Sequence, residues 1–144
     1  MKLYLVQHGI AVDKNVDPDR PLTDEGQKEV EKVAFFVKPM ELRIESLWHS
    51  PKIRAVQTAK LIADILGIVN RTETQGLKPA DEVKPIDKKI EKQNTDLMIV
   101  GHLPFLSKLA SYLLTGNYEQ SLVKFSIFGI LCLINEENVW QLEG

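Results

Sequence analysis

A single cysteine, Cys132, in 144 residues excludes an intrachain disulfide framework, and its place in the apolar run Ile127 to Ile134 suits a small buried hydrophobe in a reducing compartment. Consecutive apolar residues fall far short of the roughly 18 to 20 that a membrane helix needs, and Met1 to Val6 is too brief for the core of a signal peptide. Basic excess is missing too. Against 18 Lys and Arg stand 20 Asp and Glu, a formal net charge of -2, so any anion must be bound by a local cluster and not by a global field. The expected setting is cytoplasmic, with neither nucleic acid nor membrane as partner. Cysteine pairs, His-x-x-x-His spacings and Asp-rich loops are also absent, which leaves no pattern for a metal, and Gly-rich nucleotide fingerprints and repeats are lacking. No cofactor is expected.

What the chain has is 44% hydrophobic and 26% charged residues, enough for one buried core and too few for two ordinary domains, so residues 1–144 read as a single domain. Lys2 to Gln7 is an apolar strand ending at Gly9, followed by a polar loop from Asp13 to Pro21. Thr23 caps a helix with Asp24 and Glu25 in its first turn, and Val30, Val33, Ala34 and Val37 recur at helical spacing until Pro39. Glu45 to His49 is a second strand. Ser50 and Pro51 read as N-cap and first residue of a helix whose apolar face, Ala55, Ala59, Ile62, Ala63 and Leu66, runs to Gly67.

A short strand around Val69 to Glu73 and a charged helix over Val83 to Lys92 precede the clearest buried strand, Asp96 to Gly101, and a helix from Pro104 to Leu114. Lys124 to Asn135 and Asn138 to Leu142 close the chain as strands joined by a turn. The alternation predicts an α/β fold, a three-layer α/β/α sandwich with a mainly parallel central sheet and an antiparallel C-terminal edge.

Three segments place basic side chains where a strand gives way to a turn or helix: Gln7-His8-Gly9, Ser50 to Arg54, and Gly101-His102-Leu103-Pro104. Open α/β sheets bind ligands at that edge. Taken singly, His8 and His102 are ordinary imidazoles and Arg54 an ordinary helix arginine. Taken together they suit phosphoryl chemistry, one imidazole as nucleophile and the guanidinium as a forked donor near a helix N-terminus that already favours anions. Gly9 removes a side chain and frees its N–H to approach an anion. His49 is read as structural and is left out of the site.

These segments resemble the histidine phosphatase superfamily, whose pattern is Arg-His-Gly at the first strand end, Ser-Pro-x-x-Arg-Ala-x-Gln-Thr-Ala at a helix start, and a later Gly-His or Ser-His. The chain carries Gln7-His8-Gly9, Ser50 to Ala59 in full agreement, and Gly101-His102. Arg20-Pro21-Leu22-Thr23 with Gly26, and the His102-Leu103-Pro104 form, resemble the small SixA-type phosphohistidine phosphatases. The resemblance implies a phosphoglycerate mutase-like fold. It also implies metal-independent catalysis in which His8 is phosphorylated, Arg54 binds phosphoryl oxygens and His102 hydrogen-bonds the transferring group. Gln7, Gly9 and Arg20 complete the phosphate-binding set.

Gln7 departs from the family arginine and keeps two N–H donors without the charge. Larger relatives insert a lid bearing a general acid. The stretch from Ala59 to Asp96 is too short for one, and neither Asp81 nor Glu82 sits in a matching motif. The expected substrate is therefore phosphohistidine on a protein, a histidine-containing phosphocarrier or signalling domain. Two alternatives remain open: a phosphatase for small phosphate esters, and a non-catalytic phospho-ligand binding module in which Gln7 marks lost activity.

Overall fold

The computed structural model describes residues 1–117 and 129–143. Alternation along the strands divides the molecule into layers. In β1 (Lys2–Gln7), Leu3 and Leu5 enter one core, and Tyr4 and Val6 the other. β4 (Leu97–Gly101) does the same, with Leu97 and Ile99 on one side and Met98 and Val100 on the other. A strand whose two faces are both covered must be apolar throughout, and all five residues of β4 are buried.

The first face is covered by α1 (Asp24–Val37), through Val30 and Ala34, and by α2 (Ile53–Leu66), through Ala55, Ala59, Ile62 and Ala63. The second is covered by α3 (Lys84–Glu91), through Ile86 and Ile90, and by α4 (Phe105–Thr115), through Phe105, Leu106 and Leu109. Between these layers the six strands of the described residues, with β2 (Ser46–His49), β3 (Arg71–Glu73), β5 (Ile130–Glu136) and β6 (Val139–Glu143), lie in the order β3-β2-β4-β1-β5-β6. Pairing is parallel from β3 to β1 and antiparallel from β1 to β6. The predicted sandwich is the observed one.

Thr23 caps α1 as expected, accepting the Gly26 N–H at 2.8 Å. At the hairpin between β5 and β6, Glu137 and Asn138 both take left-handed backbone, φ 54 and 64, the form a two-residue turn needs to match strand twist. Two starts move by two residues. The strand expected from Val69 begins at Arg71, and the helix expected from Ser50-Pro51 has Lys52 as its N-cap and starts at Ile53. The portion of the final strands placed at 124–128 lies outside the described residues.

Two glycines set how closely α1 approaches the end of β1. A Cβ at Gly9 would lie 2.7 Å from Val30 Cγ2, and one at Gly26 would overlap the Ile10 carbonyl. Gly26→Ala should therefore destabilise the fold by about 1–3 kcal/mol in urea unfolding, whereas Val69→Ala at an exposed site should change stability by less than about 0.5 kcal/mol. Equal effects would show that α1 has room to move away from Ile10.

Candidate active site

β4 lies between β2 and β1, and its last two carbonyls hold the loops that leave both neighbours. His8 N–H donates to Gly101 O at 3.0 Å, and Ser50 N–H donates to Val100 O at 3.3 Å. The chain steps outward from β1 to β2 and β3, then returns to insert β4 between β1 and β2, so three strand ends meet at one edge. His8 and His102 arrive there with ring centroids 5.0 Å apart.

The His8 ring is fixed by its own neighbour. Nδ1 lies 2.7 Å from Gly9 O, and since a carbonyl only accepts, Nδ1 carries the proton. Nε2 is then the nitrogen with a free lone pair. Burial, opposed by that bond and reinforced by the Arg54 and Arg20 cations, holds His8 below the ordinary imidazole value, so the ring is neutral at pH 7.

The first turns of α2 supply both the cation and its bracing. Arg54 is the second helical residue. One turn on, Thr58 is fully buried; its hydroxyl donates to Arg54 O at 2.7 Å and accepts the Gly9 N–H at 3.0 Å. Beside it, Gln57 Oε1 accepts the Leu22 N–H at 2.7 Å and so anchors the loop that carries Arg20. That loop is closed by an Ala11–Leu22 bridge and by Val12 N–H to Pro21 O at 2.8 Å, and Arg20 itself donates from Nε to Val12 O at 3.1 Å. Ala55 and Ala59 have no exposed surface, because their small side chains let α2 lie against the sheet.

Charge at this edge has one sign. Arg20, Lys52 and Arg54 all act on His102, pushing it, after burial and together with His8, down to about 3. Arg54 is itself lowered, by burial first and then by Arg20. The ion pairs among the described residues, Lys2–Glu143, Lys32–Glu29 and Lys60–Asp64, all lie elsewhere. Among the described residues, the buried side-chain nitrogens without a partner are Arg54 Nε and His102 Nδ1. A buried polar nitrogen is costly to leave unpaired, and two in one cationic cluster give it the means to hold an anion. No group of three or more His, Cys, Asp or Glu suited to a metal occurs among the described residues.

Of the residues expected from sequence, His8, Arg54, His102 and Arg20 come together. Gln7 ends β1 one residue earlier, and no hydrogen bond within the described residues involves its amide. Gly9 is corrected: its N–H is taken by Thr58, and its missing side chain serves contact with α1, not with an anion. Ser50, read as a cap, is a buried partner of His102, with Oγ 2.7 Å from Nε2. His49 is buried and donates from Nδ1 to Ser50 O at 3.0 Å. Lys52, Thr58 and Gln57 were not anticipated. Lys52 stood in a helix-start segment beside Arg54, but the tethers made by Thr58 and Gln57 reach 49 and 35 residues away and leave no local trace.

The model of the histidine phosphatase superfamily (branch 1) matches residues 3–82. An uncharacterized protein of Picosynechococcus sp. is 32% identical over 139 residues, 90% of this chain and 84% of that one. Phosphohistidine phosphatase SixA of Escherichia coli is 28% identical over 122 residues, covering 81% and 76%. Among solved structures, the protein histidine phosphatase SixA complexed with tungstate superposes with a TM-score of 0.88 at 24% identity, over 100% of this chain and 95% of that one. The α-ribazole phosphatase from Shigella flexneri gives 0.84 at 15% identity, over 99% and 95%. These two likenesses establish the fold.

Tungstate measures the anion seat directly. Arg54→Ala should weaken its binding by roughly 10- to 100-fold, the worth of one charge-assisted hydrogen bond, and His49→Ala by less than about threefold, since His49 is not among the groups that act on His8 or His102. Comparable losses in two folded variants, read by calorimetry, would put the anion elsewhere.

Proposed function

The chain belongs to the histidine phosphatase superfamily and is a phosphatase of the SixA type, and from that premise we propose that it releases phosphate from phosphohistidine on a protein through a phosphoryl adduct on His8. The observation that carries this reading is the bare His8 Nε2 beside two buried, unpartnered nitrogens, Arg54 Nε and His102 Nδ1.

In the first step Nε2 attacks phosphorus while the bond from phosphorus to the substrate imidazole breaks. The Gly9 carbonyl holds the Nδ1 proton and stabilises the positive ring that forms. Arg54, Arg20 and His102 take the phosphoryl oxygens, whose charge is redistributed in transfer. Water then attacks the adduct and releases inorganic phosphate, returning the lone pair to Nε2. An imidazole protonated on its distal nitrogen leaves as a neutral ring, so this chemistry needs less from an enzymic acid than an alkyl ester does. The substrate is further supported by the use made of the segment after α2. The segment after α2 is used to add β3 to the sheet edge and to bury Ile86 and Ile90 of α3 in the core, and Lys52 and Ile53 lie exposed at the rim.

A phosphohistidine carrier protein and a panel of small phosphate esters, presented at equal concentration, test the reading. Phosphate release should be faster from the carrier, with acid-labile, base-stable label on His8 in rapid-quench samples and none in His8→Ala. Preference for the small esters would reassign the substrate, and tungstate binding without turnover of either would leave a binding module.

Gln7 makes a second test. Gln7→Arg should raise kcat/KM by about tenfold by adding a charged donor beside His8. If Arg20 already fills that space, the gain should appear only in the Arg20→Ala background. No gain in either would mean that position 7 does not reach the phosphoryl group.

A further inference from the structure

The contact between Ser50 and His102 joins two of the most deeply buried polar residues in the chain, and proton counting fixes its direction. A serine hydroxyl has one proton and two lone pairs. At Ser50 one lone pair is occupied by the Lys52 N–H at 3.2 Å, and His102 Nε2 stands 2.7 Å away. Were Nε2 protonated, Oγ would accept twice and its own proton would have no acceptor among the described residues, at a site with no exposed surface. Nδ1 would then turn a lone pair toward the negative oxygens of any bound phosphoryl group. With the proton on Nδ1, the Ser50 hydroxyl donates to Nε2 and every group of the pair has a role. The anion seat then gains a donor where the structure leaves a buried nitrogen unpartnered.

Resting on the phosphatase reading above, we propose that Ser50 is a positioning residue: its hydroxyl locks the His102 imidazole as the Nδ1–H tautomer, which donates that proton to the phosphoryl group. The two histidines of the site then differ in the nitrogen they use. His8 offers the lone pair of Nε2 because Gly9 O holds its Nδ1 proton. His102 offers the proton of Nδ1 because Ser50 occupies its Nε2. A neutral donor also agrees with the depression of His102 by burial and the surrounding cations. The Lys52 N–H sets the serine rotor, so the first turn of α2, which carries Arg54, also orients the second histidine.

The chain has three histidines, which makes the test tractable with histidine-selective 15N labelling. Long-range 1H–15N spectra, assigned with His8→Ala and His49→Gln, should show His102 protonated at Nδ1 and bare at Nε2, with Nδ1 responding to added tungstate. In Ser50→Ala the tautomers should mix, and tungstate binding and kcat/KM should each fall by about tenfold. An Asn side chain places its amide nitrogen where Nδ1 sits and has no Nε2 to lock. Ser50→Ala should therefore cost little further tungstate affinity in a His102→Asn background, while His102→Gln should bind worse than His102→Asn.

An Nε2–H tautomer in the wild-type protein would overturn the proposal. So would an equal Ser50→Ala penalty in both backgrounds, which would make Ser50 merely structural and needs no comparison of stabilities. Neither readout requires turnover. A protein with the expected tautomer and tungstate response that hydrolyses nothing would overturn the phosphatase reading and leave this one standing.

Discussion

Like charge held together without a carboxylate partner among the described residues is the constraint to which the rest of this molecule answers. Arg20 and Arg54 act on both histidines and Lys52 on His102, with no carboxylate among the described residues to offset them. In the absence of an anion they repel, and exposed side chains would simply drift apart. Hydrogen bonds to neutral groups keep them in place: Arg20 on the Val12 carbonyl, the Arg54 turn on Thr58, and the loop of Arg20 on Gln57. None of these bonds neutralises charge, so the attraction for a phosphoryl group is kept while the geometry is fixed.

The sheet order serves the same end. Had β4 been added at the outside, its terminal histidine would stand a full strand spacing or more beyond β2, and His8 and His102 would not be neighbours. Insertion between β1 and β2 puts both beside one pair of carbonyls, Val100 O and Gly101 O, which anchor the flanking loops. The apolar core on each face of β4 therefore acts on chemistry indirectly, by fixing where that strand ends.

Much of this was legible in the sequence. Alternating apolar runs gave β1 over its observed span and the others nearly so, because strands covered on both faces and helices with one apolar stripe leave clear periods. Thr23 and the strand-end histidines were readable for the same local reasons. What was not readable was any bond whose partner lies far along the chain. Ser50 before Pro51 carries the signature of a helix cap, yet it is buried against His102, 52 residues on. Gly9 after a strand-end histidine suggested a free N–H, and only the packing of Val30 and Thr58 shows why a side chain is excluded there. The segment from Arg54 to Ala59 divides its labour: Arg54 joins the cationic cluster, Gln57 and Thr58 brace loops, and the alanines admit the sheet.

Arg20 holds left-handed backbone, φ 50, outside the hairpin that accounts for Glu137 and Asn138. For a residue with a Cβ that conformation costs roughly 1 kcal/mol, and glycine would adopt it freely. The polypeptide therefore gives up some folding free energy at this position to project a guanidinium toward His8 and His102. Glycine at position 20 would relieve that cost but would give up both the bond to Val12 O and a cation beside the two histidines, so tolerance of heat and hold on a phosphoryl group draw on the same side chain.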